Sequence, residues 1–166
     1  MNNIRLLKEQ DLPVLDEIYR QAIEAKFSTA HTEPLSGEAW HEWFREHDPA
    51  SYPVFVWEQD GIIAGWIAFS PYRKGRNALR STAEISYYLH SNFHRKGIAS
   101  RLMQHAIEVA PSLGLKTLIA IIMEPNTASV ALLRKFRFEL WGNMPGILEV
   151  DGNHYNHQYH GLHLSQ

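Results

Sequence analysis

Between Glu84 and Ser100 a carboxylate, an aromatic run and a basic, glycine-containing loop follow one another without interruption. Ile85-Ser86-Tyr87-Tyr88-Leu89 reads as a strand, and His94-Arg95-Lys96-Gly97 as the loop that leaves it. Ile98, Ala99 and Ser100 then open a helix, because Ala99, Leu102, Met103, Ala106 and Ala110 recur at helical spacing. The N–H groups in the first turn of a helix have no partner inside it and carry partial positive charge, so such a start binds phosphate. Gly97 lets a phosphate approach the backbone, and Arg95 and Lys96 add charge. The spacing is neither the G-x-G-x-x-G of dinucleotide folds nor the G-x-x-x-x-G-K-[ST] of P-loops. By itself the stretch also fits a plain strand–loop–helix connection with two solvated cations.

These residues need a scaffold, and the rest of the chain supplies its parts. Asn3 to Lys8 alternates as a first strand, and Leu12, Leu15, Ile18, Tyr19, Ala22 and Ile23 mark an amphipathic helix with Asp11 as its expected cap and Pro13 in its first turn. Ser28 to Leu35 is a polar loop, and Ser36 caps a second helix carrying Trp40, Trp43 and Phe44. Val54 to Glu58 and Ile62 to Pro71 form a hairpin around Gln59-Asp60-Gly61. Tyr72 to Ser81 is a basic loop, and Thr82 to His90 is the strand that begins near Glu84. Leu115 to Met123 is a β-branched strand of the kind buried on both faces. A short helix follows from Asn126 to Phe136, Phe138 to Asn143 starts another strand, and a last one covers roughly His154 to Leu164. The order β, α, α, β, β, β, α, β, α, β, β predicts an α/β fold, a mixed central sheet with helices on both faces.

The bulk properties set bounds. A chain of 166 residues suits a single domain, 1–166, with a full core. A net charge of −2 with scattered basic residues points to neither nucleic acid nor an anionic membrane. Cysteine is absent, which excludes disulfides, thiolate metal sites and a cysteine nucleophile, and fits a reducing compartment. Met1 to Arg5 is polar and the longest apolar run, Leu118 to Met123, is too short to span a bilayer, so a cytoplasmic location is expected.

The loop Arg95-Lys96-Gly97-Ile98-Ala99 resembles the pyrophosphate loop [QR]-x-x-G-x-[GA] of the GCN5-related N-acetyltransferases, with His94, Gly97 and Ala99 in the pattern positions. Asn126-Thr127-Ala128-Ser129-Val130-Ala131-Leu132-Leu133 through Phe138 is similar to the second cofactor motif of that family. Within it, Thr32-Glu33-Pro34, Pro71-Tyr72-Arg73, Arg80-Ser81-Thr82-Ala83-Glu84 and Asp151 to Tyr155 resemble segments of the phosphinothricin and methionine sulfone acetyltransferase-like group. The resemblance implies the GNAT (acyl-CoA N-acyltransferase) fold. It also implies acetyl-CoA as co-substrate without a metal, a small amino-acid-like amine as acceptor, and a homodimer.

It implies roles as well. Tyr87, Tyr88, Leu89, His94, Arg95, Lys96, Gly97, Ile98, Ala99, Ser100, Asn126 and Ser129 are expected to hold the cofactor, with backbone N–H groups from Tyr88 to His90 at the thioester oxygen. Glu84 matches the group's catalytic glutamate and would take the proton an ammonium must lose before it attacks. Without the resemblance, Glu84 reads as a carboxylate paired with Arg80 or Arg73. Arg73, Arg80, Thr82 and Tyr155 are expected at the substrate, the arginines pairing with its anion. Three positions depart from the pattern: His94 replaces Gln or Arg, Leu133 stands where a Tyr or His faces the leaving thiolate, and Arg137 replaces glycine. Acetylation of a protein N-terminus or a polyamine, or a catalytically weak CoA-binding module, stay open as alternatives. His154, His157, His160 and His163 recur every three residues, but on a strand that spacing alternates faces and disfavours a metal site. Trp40, Trp43, Trp57 and Trp66 read as core and pocket wall.

Overall fold

The computed structural model describes residues 3–164, so Met1, Asn2, Ser165 and Gln166 lie outside the described residues. Its elements are β1 (Ile4–Leu6), α1 (Leu12–Glu24), α2 (Gly37–Glu46), β2 (Val54–Gln59), β3 (Ile62–Pro71), β4 (Thr82–Leu89), α3 (Ile98–Val109), β5 (Thr117–Met123), α4 (Thr127–Lys135), β6 (Glu139–Val150) and β7 (Asn153–His163). The seven strands form one sheet in the order β1-β2-β3-β4-β5-β7-β6. Only β4 and β5 run parallel, which makes the sheet mixed, as the element order predicts. Asp60 and Gly61 both take positive φ in the two-residue turn joining β2 and β3, the backbone a twisted hairpin demands.

Period-two alternation sends side chains to two cores. Val54, Val56, Trp66 and Ala68 pack with Leu12, Leu15, Ile18, Tyr19 and Trp40 beneath α1 and α2. Phe55, Trp57, Ile67, Phe69, Ala83, Ile85, Leu118 and Ala120 pack with Ile98, Leu102, Met103, Ala106 and Leu133 beneath α3 and α4. Helices therefore cover both faces. Ser36 caps α2, its hydroxyl accepting from the Ala39 N–H at 3.1 Å.

Two details differ from the sequence expectation. A 3-10 turn, Glu9–Asp11, precedes α1, so Asp11 already has helical dihedrals and makes no cap bond to α1. Its buried carboxylate accepts instead from the Lys8 N–H at 2.8 Å and from Arg5 at 2.7 and 3.1 Å, and Arg5 also reaches Glu58 at 2.5 Å. Burial alone would raise the Asp11 carboxyl, but these bonds and the Arg5 charge outweigh it and hold it below its ordinary value. The strand that Phe138 to Asn143 starts begins at Glu139 and runs on to Val150, because bulges between Leu140 and Gly142 and between Met144 and Leu148 keep it paired with β7.

Candidate active site

The parallel pair β4 and β5 is joined only at Thr82↔Thr117, Ala83↔Leu118 and Glu84↔Ile119. Beyond Glu84 the ladder stops, although β4 runs on to Leu89 and β5 to Met123. A cleft thus opens in the sheet, with Glu84 at its apex and the basic loop beyond the end of β4. His90 N–H donates to Ala64 O at 2.9 Å, so by ladder alternation Tyr88 also bonds towards β3. The N–H and C=O groups of Tyr87 and Leu89 are the ones turned to the cleft. Of the donors expected from Tyr88 to His90, this leaves Leu89, joined by Tyr87.

At the mouth of the cleft Gly97 precedes α3 with φ +78°, and a Cβ built there meets nothing within 4 Å. Arg95 is also left-handed, at φ 61°. These turns leave the N–H groups of Arg95, Lys96 and Gly97 without a protein acceptor among the described residues, ahead of the free first-turn donors of Ile98, Ala99 and Ser100. The residues fit a diphosphate: converging donors, two cations and open space over glycine. His94 Nε2 donates to the cleft-facing Leu89 carbonyl at 3.2 Å, so this departure from the motif ties the loop to the strand end. Lys96 sits over the Phe93 ring, 4.7 Å from its centroid. Lys135, which sequence reasoning missed, donates to Ser100 Oγ at 3.0 Å and adds a cation from α4.

Alternation places Thr82, Glu84, Ser86 and Tyr88 on the α1/α2 face. Glu84 is half-buried and makes no hydrogen bond or ion pair among the described residues, and burial raises its carboxyl above the ordinary value. The pairing with Arg73 or Arg80 is absent: Arg80 donates to Asn77 O at 3.4 Å. Both arginines line a cavity of about 400 Å³ together with Trp43, His47, Ser70 and Arg76. Glu84 itself is not part of its lining, but Ser70 is its register partner on β3. His47, Ser70 and Arg76 carry no motif: His47, at the end of α2, meets Ser70 of β3 at 3.1 Å, and Arg76 comes from the loop after β3. Thr82 O accepts from Tyr72 N–H at 3.3 Å, which anchors the basic loop to the start of β4. Tyr155 stands apart from the cavity lining, its ring 5.1 Å from that of Phe27 in an edge contact beside the Lys26–Asp151 ion pair.

At α4, Asn126 is a cap, its Oδ1 accepting from Ser129 N–H at 3.1 Å. Leu133 is fully buried in the α3/α4 core, so it does not line a site for a leaving thiolate. Arg137 takes φ 63° where the pattern has glycine, at a cost of roughly 1–2 kcal/mol, and ends α4 by donating to Arg134 O at 3.0 Å. The Tyr87 phenol points to this face. Burial pushes it up to about 12, offset in part by the Ser129 side chain, yet its hydroxyl closes no hydrogen bond of full geometry. Leu133→Tyr is therefore expected to overpack the core and lower stability by about 1–3 kcal/mol, read as a fall in Tm, instead of restoring a donor. The four periodic histidines have separate surroundings: His154 meets Gly146 O at 3.1 Å, His157 packs 5.7 Å from the Tyr159 ring, His160 is buried, and His163 meets Thr117 Oγ1 at 3.2 Å.

The sequence profile of the Acetyltransferase (GNAT) family matches residues 15–138. A Bacillus subtilis (strain 168) protein named as a candidate phosphinothricin acetyltransferase, YwnH, is 39% identical over 163 residues, 98% of this chain and 99% of its own. An L-methionine sulfoximine/L-methionine sulfone acetyltransferase of Pseudomonas aeruginosa is 30% identical over 82% of this chain and 80% of its own. The crystal structure of a GNAT superfamily phosphinothricin acetyltransferase from Sinorhizobium meliloti, in complex with AcCoA, superposes with a TM-score of 0.91 at 28% identity, over 98% of this chain and 88% of that one.

Proposed function

Since the chain belongs to the GNAT acetyltransferase family and is an acetyl-CoA-dependent N-acetyltransferase, we propose that its acceptor is a small amino-acid-like amine of the phosphinothricin, methionine sulfoximine or methionine sulfone type. The observation that carries this reading is the unpaired Glu84 at the apex of the cleft, one strand away from an arginine-lined cavity. Arg73 and Arg80 suit a carboxylate or phosphinate, and the same cations disfavour a polyamine. Chain and cavity act together as one acetyltransferase domain in this proposal.

Acetyl-CoA supplies the acetyl group as an activated thioester. The loop from His94 to Gly97 and the first turn of α3, with Asn126 and Ser129 at the start of α4, would hold it, and the Tyr87 and Leu89 N–H groups face the cleft where a thioester oxygen gains charge. Glu84 takes the proton of the incoming ammonium. Burial raises its pKa, which brings it nearer to that of the ammonium it must deprotonate.

Release of CoA thiol across a panel of amines tests the reading, and a protein free of cysteine gives no background in that assay. Turnover of methionine sulfone or phosphinothricin is expected, with little for polyamines or N-terminal peptides. Binding of acetyl-CoA without turnover of any amine would favour the weak CoA-binding module. Arg80→Ala is expected to raise KM for methionine sulfone about 10- to 100-fold, as for loss of a charged hydrogen bond, and to leave an uncharged amine nearly unaffected. Equal effects on both would return Arg80 to a solvated loop. We further propose a cytoplasmic homodimer. The edge strand β6 exposes Leu140, Trp141, Met144 and Ile147, an apolar row that a second copy would cover; light scattering of the native protein measures the mass.

A further inference from the structure

His47 and Ser70 form a hydrogen-bonded chain whose proton positions follow from their partners. His47 Nδ1 lies 2.7 Å from the Trp43 carbonyl oxygen, which only accepts, so Nδ1 carries a hydrogen. In the neutral ring Nε2 is then a lone pair, and it lies 3.1 Å from Ser70 Oγ. Ser70 must donate its one hydroxyl hydrogen to His47, which leaves its oxygen as an acceptor only. The imidazole is held in place by the Trp43 ring, 4.1 Å away between centroids. Burial lowers the His47 pKa, which favours the neutral ring.

Ser70 is the register partner of Glu84, so the two side chains stand side by side on one face of adjacent strands. Trp43, His47 and Ser70 line the same cavity as Arg73 and Arg80. We propose that Ser70 Oγ, held as a pure acceptor by His47, is the second anchor for the ammonium of the substrate beside Glu84. Ser70 is then a binding residue and His47 a positioning residue. An ammonium has several N–H donors: one is surrendered to Glu84, and another is kept on Ser70 so that the nitrogen lone pair is aimed when it forms. Cation anchored at Ser70 and Glu84, anion at Arg73 and Arg80: the pocket selects a compact zwitterion over a simple amine. This inference rests on the proposed acceptor class.

The test compares Ser70→Ala, His47→Phe, the double variant and Ser70→Thr, with kinetics for methionine sulfone and acetyl-CoA affinity measured in each. Ser70→Ala and His47→Phe are each expected to raise the amine KM about 10- to 100-fold, the effect of a hydrogen bond to a charged group. The double variant should match Ser70→Ala alone, because His47 acts only through Ser70. Ser70→Thr keeps the hydroxyl and should recover most of the loss. Acetyl-CoA affinity should stay level in all of them. Additive single effects, an unchanged KM in Ser70→Ala, or a loss confined to acetyl-CoA affinity would overturn the proposal. Wild-type turnover separates the two failures: no turnover of any amino-acid-like amine sinks the acceptor class and this inference together, whereas normal wild-type turnover with an indifferent Ser70→Ala sinks only the inference. Nitrogen-15 spectra of the wild-type imidazole provide a check without any variant. A proton on Nδ1, with an Nε2 signal that moves on adding methionine sulfone, supports the chain; a proton on Nε2 overturns it.

Discussion

Gly97→Glu is expected to abolish acetyl-CoA binding while leaving the fold intact. Gly97 has φ +78° and a Cβ built there meets no atom within 4 Å, so the first side-chain carbon displaces nothing. The left-handed backbone costs any non-glycine residue roughly 1–2 kcal/mol. That cost is shared with Gly97→Ala, which should fold with slightly lower Tm and bind acetyl-CoA somewhat less well. The glutamate differs in charge. It would set a carboxylate among the N–H groups of residues 95–100, the donors proposed for the diphosphate. Like-charge juxtaposition at a desolvated contact costs several kcal/mol, a loss of affinity of about 100-fold or more. Calorimetric titration of both variants makes the comparison. Equal affinities for Gly97→Glu and the native protein would move the diphosphate away from this loop.

That loop was legible in the sequence because its chemistry is local. A glycine, two cations and a helix start adjoin one another in the chain, and the backbone that joins them also builds the site. The same holds for the element order, where alternation in β2 and β3 and helical spacing in α1 and α3 state which face is buried. What escaped is the part assembled across the sheet. His47 ends α2 and Ser70 sits near the end of β3, and nothing in either segment says that they meet. Lys135 reaches Ser100 only because α4 lies beside α3. A motif position assigns Leu133 to the cofactor, yet a helix of nine residues has one face for the core, and packing puts Leu133 on it. Residue type alone makes Asp11 a cap, but a turn of 3-10 helix moves the start of the helical run upstream of it.

Glu84→Gln is the second variant with a large expected effect, and it separates chemistry from folding. The side chain has no ion-pair or hydrogen-bond partner among the described residues, so the amide breaks no structural contact. It cannot accept the ammonium proton, and the loss of a positioned general base typically costs 10²- to 10⁴-fold in turnover. Acetyl-CoA affinity should change little, because Glu84 is at the apex of the cleft and the phosphate donors are at its mouth. Stability should move the other way. Burial raises the folded-state pKa of Glu84, so the folded protein binds its proton more tightly than the unfolded chain does. That contribution is fully present below the unfolded pKa and is lost as pH rises through the folded one. At neutral pH the native protein therefore carries the cost of a partly desolvated charge, which the amide removes. Glu84→Gln should have a Tm equal to or above that of the native enzyme at pH 7 and gain nothing at pH 3. The native rate should fall as pH is lowered through a pKa above the ordinary glutamate value, and this limb should vanish from the residual rate of the variant. A variant with near-native turnover would place the proton acceptor elsewhere, and a variant that loses both turnover and Tm would make Glu84 a structural carboxylate.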